Sequence, residues 1–453
     1  MSIQKKALSR RDFLRASVAA AGLTLAACVP AGAPAQTGQS AGGAAPAQAG
    51  AKIAYWTFWA DRWGEFQQKL VTKFNEEQKD IQVEMLIVPW GDLATKLLTA
   101  VSAGNPPDFS IIGRSEVVEW AARQGVLPLD DYIAASTDVK KDDWFPVAWN
   151  ECLWQGKTYA QPFESGTYAA WYNAELFEKA GLDASKPPIT WEEVDAAADK
   201  LTVGSAKDGY KTIGFIPWQS RRDLLGWLAG GEWYDEQNQK VTAVTPENIV
   251  AMNWVKQYAD KYGGEALERF RQGLGGGDTA DDPFYRNQMG MDWRGSWSLS
   301  AKQEYAPNVK FNVAPLPYYQ KTGNDSINQG SACVLPKGSP QPQPAYKFLT
   351  WMSIHGIAQW VPMAADMVSR KDQTDVYPSA LPDNAEFRGY WKLYNDALAY
   401  AHHEPSMPAR RFWGDQLTAA VDAIVLGKKT PEQALQDAQD ATQRELDKAL
   451  GKA

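Results

Sequence analysis

From residue 51 to about residue 125 the apolar residues switch repeatedly between two spacings, and each switch demands a change of secondary structure. Residues 53–58 form a β-rich run, after which Trp63, Phe66, Leu70, Val71 and Phe74 fall on one helical face. Ile81, Val83, Met85 and Ile87 alternate with Gln82 and Glu84, as in a strand. Leu93, Leu97 and Val101 then return to the helical period until Ala103-Gly104 ends it. Residues 109–112 supply a third strand, and a helix from about Ser115 is closed by Gly125. Such alternation predicts right-handed βαβ units and a mainly parallel, doubly wound sheet.

The pattern recurs after Pro162. Residues 168–172 read as a strand, and a short helix through Leu176 and Phe177 stops at Gly181. Thr190-Trp191-Glu192-Glu193 has the spacing in which threonine and glutamate each satisfy a free backbone amide at a helix start. That helix runs to Leu201. Residues 212–216 predict another strand, and Thr245-Pro246-Glu247 opens a long helix that ends near Gly263-Gly264. Gly275-Gly276-Gly277 has no strand before it and no helix after it, so it reads as a loop and not a phosphate cradle. About 400 residues are enough for two lobes, each with a core.

Ahead of the lobes, Lys5, Lys6, Arg10, Arg11 and Arg15 precede an uncharged run over residues 16–27. This is the charge layout of a signal peptide, and the run is shorter than the roughly 20 residues a membrane-crossing helix needs. Ser9-Arg10-Arg11-Asp12-Phe13-Leu14 resembles the twin-arginine consensus of the Tat export route, with Arg10 and Arg11 as the pair. Leu25-Ala26-Ala27-Cys28 resembles a lipobox, in which the Cys28 thiol receives the diacylglyceryl group and becomes a membrane anchor. Residues 29–50 carry no charge and no aromatic ring and cannot build a core. As a flexible tether their span is roughly 26 Å.

Composition narrows the function. Without residues 1–27 the chain has 41 basic against 53 acidic residues, a balance of −12 that argues against nucleic acid. Three histidines and three cysteines are too scattered for a metal site; His402-His403 reads as a solvated loop pair. Cys152 and Cys333 either form a disulfide or sit as two buried free thiols. Tryptophan is abundant, 20 against 18 Tyr and 15 Phe, so some rings face solvent or ligand as well as core. A sugar's flat C–H patch between hydroxyls suits an aromatic face with polar groups at its edge.

Several stretches in fixed order now resemble the family 1 extracellular solute-binding proteins, the maltose-binding-protein-like class. They are Tyr55-Trp56-Thr57-Phe58-Trp59, Pro89-Trp90-Gly91-Asp92, Gly104-Asn105-Pro106-Pro107-Asp108, Gly156-Lys157-Thr158-Tyr159-Ala160-Gln161-Pro162, Trp171-Tyr172-Asn173, Thr190-Trp191-Glu192-Glu193, residues 289–297 and Thr430-Pro431-Glu432-Gln433-Ala434-Leu435. The resemblance implies an α/β fold of periplasmic-binding-protein type (class II-like), with two doubly wound lobes joined by a three-crossing hinge. The crossings are expected near residues 160–164, 323–328 and 361–366. The implied division is a signal peptide over 1–27, a lipidated cysteine and tether over 28–50, an N-terminal lobe of 51–162 plus 326–362, and a C-terminal lobe of 163–325 plus 363–453. The implied role is an exported, lipid-anchored monomer that catches a carbohydrate and passes it to the permease subunits of an ABC importer, with no cofactor and no metal.

Ligands of parallel sheets bind beyond the carboxyl ends of the strands. That rule selects Trp56, Trp59, Asp61, Trp90, Asp92, Arg114, Ser115 and Glu116 in the first lobe. In the second it selects Trp218, Gln219, Trp293, Arg294, Gly295 and Trp297; Gly295-Ser296-Trp297 matches the family's Gly-x-Trp, whose ring usually stacks on a sugar. Glu164 and Ser165 on the first crossing, Gly330 and Ser331 near the second, and Asp366 and Arg370 after the third complete the set. Any of these tryptophans can equally be core, and any charge at a loop tip can be merely solvated. Arg221-Arg222 opens a helix and is expected on the surface, with an acidic ligand or the permease as its alternative contacts. A glycoside hydrolase would need a carboxylate pair, but there is no eightfold βα repeat, no Gly-x-Ser-x-Gly and no His-Glu-x-x-His. A sensory receptor on the same fold, and a glycerol phosphodiester or polyamine as ligand, are the remaining alternatives.

Overall fold

In a computed structural model of the chain, residues 50–452 are described except 220, 273–277, 321–324 and 375. The twin-arginine pair, Cys28, the tether to residue 49 and the triple glycine lie outside the described residues. Ten strands carry the two main sheets: β1 (Ala51–Thr57), β2 (Ile81–Ile87), β3 (Phe109–Gly113), β4 (Gln161–Gly166), β5 (Tyr168–Asn173), β6 (Met291–Gly295), β7 (Phe311–Ala314), β8 (Ile327–Val334), β9 (Met367–Val368) and β10 (His402–His403). The larger sheet has the order β9-β4-β8-β3-β1-β2, with β10 pairing β8, and the smaller has the order β6-β5-β7.

The first three strands run parallel, through the helices the spacing predicts, Asp61–Glu77 and Trp90–Ser102. Burial explains the double winding. Leu70, Val71 and Phe74 of the first helix join Ile53, Tyr55, Ile81 and Val83 in one apolar cluster. Ala94 and Leu97 of the second join Ile112, Val117 and Trp120 in another. Each helix covers its own side of the sheet and removes apolar surface at about 25 cal/mol per Å².

Beyond β3 the sheet turns antiparallel, apart from the short β10, which pairs parallel with β8. β8 pairs antiparallel with β3 and β4, and β9 with β4. The smaller sheet is antiparallel throughout. The strand expected over 212–216 is instead a short strand Gly209–Thr212 in a separate hairpin, followed by a single parallel bridge from Ile213 to Met289. Its apolar residues, Ile213, Phe215 and Ile216, enter the core, and its backbone pairs only briefly with the approach to β6, through Ile213 N–H to Gln288 O (2.9 Å) and Met291 N–H to Gly214 O (2.8 Å). Helix starts are as expected: Thr190 accepts from the Glu193 amide (3.2 Å), and Thr245 from that of Asn248 (3.1 Å). The Glu193 carboxylate, however, reaches Ile189 N–H (2.7 Å).

The chain leaves the larger sheet at Thr167, between β4 and β5, and returns between β7 and β8. The third passage is later than 361–366. Met367 and Val368 pair with Ser165 and Glu164, and Arg370 still bridges Trp144, so the chain reaches the smaller sheet only with the helix Ala385–Ala397. A boundary at 362/363 would cut β9 from the sheet it belongs to.

His402 is not a solvated loop residue. It stacks on Trp227 (5.3 Å), lies 3.4 Å from Glu232 and 3.3 Å from Asp325, and those carboxylates outweigh burial to push its pKa up to about 9. Cys152 and Cys333 are free and fully buried, and burial pushes both thiols well up. Native protein at pH 8 should therefore leave both unlabelled by iodoacetamide and label both once unfolded. Mass mapping of the two peptides checks this, and a bridged pair would stay unlabelled in denaturant until reduced.

Candidate ligand-binding cleft

The parallel strands all end at one cleft of about 670 Å³, within the usual range for a ligand site. Leaving β1 the chain places Phe58 and Trp59 there; leaving β2, Trp90; leaving β3, Ser115 and Glu116. The floor comes from the passage between sheets, with Glu164 and Gly166 of β4, Gln329, Gly330 and Ser331 of β8, and Asp366. The facing wall is Trp297 after β6, Arg221, Arg222 and Asp223, Glu404, and Arg410, Arg411 and Trp413 of the helix Arg410–Val425.

Aromatic rings are set by their packing. Trp59 lies on Phe58 (4.4 Å), Phe163 (5.8 Å) and Trp360 (4.8 Å). Trp90 contacts Phe58 edge-on (4.4 Å) and remains 57% exposed, a large ring open to water at the mouth of the cleft. Trp297 folds back over two glycines. A Cβ on Gly166 or Gly295 would run into its ring, and its Nε1 donates to Asp278 (3.0 Å). The Gly-x-Trp pattern thus has a steric cause.

Two carboxyl groups sit below these rings. Glu164 accepts from Ser331 N–H (3.1 Å) and Ser331 Oγ (2.6 Å), and Asp366 accepts from Trp360 Nε1 (2.6 Å). Burial, and then the charge of Glu164, hold Asp366 well above the usual carboxylate range; burial also raises Glu164, against the pull of Ser331 and Arg114. Like charges in one desolvated place favour one neutral member. The pair can present an acceptor and a donor, the combination a hydroxyl group takes.

The other wall is ionic. Arg221 donates to Asp223 (2.6 Å) and Glu404 (2.5 Å), and Arg410 to Glu404 (2.7 Å). Burial alone would raise Glu404, but the two arginines more than offset it and hold it well below its ordinary value. Glu404 also accepts from Ser115 Oγ (3.1 Å), a direct link between the walls. Arg221, expected on the surface, is an inner residue.

Of the sequence candidates, Trp59, Trp90, Ser115, Glu116, Glu164, Gly330, Ser331, Asp366 and Trp297 line the cleft, and Gly295 makes room for Trp297. Arg114 and Ser165 lie just beneath it, with Arg114 Nη1 donating to Ser165 Oγ (3.0 Å). The others are elsewhere. Trp56 packs on the core beneath β3, Asp61 is exposed, and Asp92 is exposed beside Lys96 (3.1 Å). Trp218 is buried and donates to Glu268 (2.6 Å), and Trp293 packs on Phe215 (5.0 Å) and Trp254 (6.0 Å). Gln219 follows Trp218 with its Oε1 buried. Arg370 lies over Trp144 (4.6 Å), paired with Asp372 (2.8 Å). Arg294 is enclosed by Asp282 (2.7 Å), Asp292 (2.9 Å) and Asp278 (3.3 Å).

The misplaced second-lobe candidates have two causes: the smaller sheet is antiparallel, so no row of strand ends points one way, and the strand expected to end before Trp218 and Gln219 does not form. The helix Arg410–Val425, which supplies much of the wall instead, did leave a signal. Arg410-Arg411 opens it where the backbone dipole favours acidic residues.

Arg294 holds a cluster of acids together in the core. Burial raises Asp292, to about 6, even against the pull of Arg294, so Arg294→Met would leave the buried Asp282 and Asp292 and the partly buried Asp278 without their cation. It should cost about 3–5 kcal/mol, read from the midpoint of urea unfolding. A loss within 1 kcal/mol would mean that the cluster is wet and weak.

Comparison with known proteins accords with this geometry. A putative binding protein of Brucella abortus (strain 2308) is 26% identical, over 83% of this chain and 88% of the relative. The sn-glycerol-3-phosphate-binding periplasmic protein UgpB of Escherichia coli (strain K12) is 26% identical over 60% of this chain and 62% of its own. The structure is similar to that of CpMnBP1 with mannotriose bound, with a TM-score of 0.79 and 27% identity over 86% of this chain and all of that one. A family model described as bacterial extracellular solute-binding protein matches residues 60–355, and this chain belongs to that family.

Proposed function

We propose that the chain captures a carbohydrate, an oligosaccharide, in this cleft outside the cytoplasm and delivers it to the permease subunits of an ABC importer. The observation that carries the reading is the arrangement of Trp59, Trp90 and Trp297 around the Glu164 and Asp366 carboxyls. Rings take the C–H faces of a sugar, and hydrogen-bonding pairs at their edges take its hydroxyls. The likeness to a mannotriose complex supports this choice of ligand.

The protein acts as a monomer whose two lobes, divided at the three passages between the sheets, close on the ligand by hinge rotation. Arg10 and Arg11 direct export, Cys28 carries the lipid, and residues 29–50 tether the lobes near the permease; the sequence pattern is what supports these three roles. The likeness to UgpB, named for binding sn-glycerol 3-phosphate, is the ground for a second reading, a glycerol phosphate ester, which fits less well than a carbohydrate.

A thermal-shift panel of mono- and oligosaccharides, neutral and acidic, with glycerol 3-phosphate and a polyamine, separates the readings. A cognate sugar at about 100 times its Kd adds roughly 2.7 kcal/mol, which raises the melting temperature of a 400-residue body by about 3 °C. Trp59→Ala should weaken that sugar by about tenfold or more. The carbohydrate reading fails if no sugar shifts the melt or if the pure protein consumes it.

A further inference from the structure

Two of the four arginines lining the cleft have no counter-charge in contact. Arg221 and Arg410 are held by Asp223 and Glu404. Among the described residues, no carboxylate oxygen lies within 4 Å of the guanidinium of Arg222 or Arg411. The Nε of Arg222 is buried without an acceptor. Burial and then the nearby Arg271 lower its pKa, while Asp422, Glu268 and Asp223 act on it only at longer range. Glu268 is itself paired with Arg271 (3.0 Å).

Arg411 stands in the first turn of a 16-residue helix, whose positive end disfavours a cation. From the opposite wall it is faced by Glu116 and Glu119. Glu119 already accepts from Arg411 N–H (2.7 Å) and from Arg123 (3.0 Å), and Glu116 from Trp120 Nε1 (3.4 Å). Asp415, one turn on, is exposed. A half-buried guanidinium without an acceptor costs free energy that an anion would recover.

Resting on the carbohydrate reading, we propose that the ligand is an acidic sugar, whose carboxylate, sulfate or phosphate groups are met by Arg222 and Arg411 while its rings lie against Trp59 and Trp297. The remaining acids do not oppose this. Asp223 and Glu404 are neutralised by Arg221 and Arg410, and Glu164 and Asp366 sit on the floor with their own hydrogen bonds. The cleft then has a hydroxyl-reading floor and a charge-reading wall.

Calorimetric titration of the purified protein tests this with matched ligands: trigalacturonate, its neutral methyl ester, mannotriose, glucose 6-phosphate and glycerol 3-phosphate. An acidic ligand should bind about tenfold or more tightly than its neutral counterpart and weaken as salt rises. The carboxylate and phosphate arms identify which acid is read. Arg222→Gln and Arg411→Gln should each cut the ratio of acidic to neutral affinity by about tenfold. The proposal falls if the methyl ester binds as well as the acid, or if only neutral sugars bind. It also falls if both variants weaken acidic and neutral sugars alike, which would make the arginines closure contacts. If no sugar of either charge binds, the carbohydrate reading falls with it.

Discussion

One buried cation holds the join between the two sheets. Arg114, at the end of β3 and 1% exposed, donates from Nε to Glu151, from Nη1 to Glu164 O (3.0 Å) and Ser165 Oγ (3.0 Å), and from Nη2 to Asn328 (3.2 Å). It thereby fastens β3 to β4 and β8, the two strands through which the chain leaves and re-enters the larger sheet. Burying a guanidinium is tolerable only with such complete pairing. Gly330 belongs to the same arrangement, because a Cβ there would meet both Arg114 and the Glu164 carbonyl. The carboxyl Glu164 presents to the cleft is thus mounted on the strand that Arg114 clamps from behind.

The cleft above this clamp divides by chemistry. On the strand-end side, rings are fixed by rings: Trp59, Phe163 and Trp360 form one packed group, and Trp360 orients Asp366 through its Nε1. On the helix side, charges are fixed by charges, with Glu404 joining Arg221, Arg410 and Ser115. The Glu404 contact to Ser115 crosses between the walls, and Arg62 makes another such link to Ser300 (3.0 Å) and Glu304 (2.7 Å). Both contacts tie the strand-end side of the cleft to the helix side.

The first lobe was legible because its signals agreed. Period-two strands, period-3.6 helices and glycine stops all pointed to a parallel sheet, and the strand-end rule then found Trp59, Trp90, Ser115 and Glu116, although it also took in Trp56, Asp61 and Asp92, which lie outside the cleft. The second lobe was not, because a short antiparallel sheet has no common carboxyl edge. Trp218, Trp293 and Arg294 looked like cleft residues by position and are core by packing, and Arg294 is balanced by Asp282 and Asp278, a long-range pairing no pattern foretold. Glu404, just after β10, and Arg410 and Trp413, of the helix that follows it, lie far along the chain from the strands they face. Contacts of that separation have no local signature beyond the misplaced charge at Arg410-Arg411.

A crystal structure with whichever sugar most raises the melting temperature locates the ligand directly. Density for a sugar ring against Trp297 and Trp59, with hydroxyls in hydrogen-bond reach of Glu164 and Asp366, is the expected result. Density in the separate cavity lined by Trp154, Tyr234 and His403, with the Trp59 cleft empty, would contradict it.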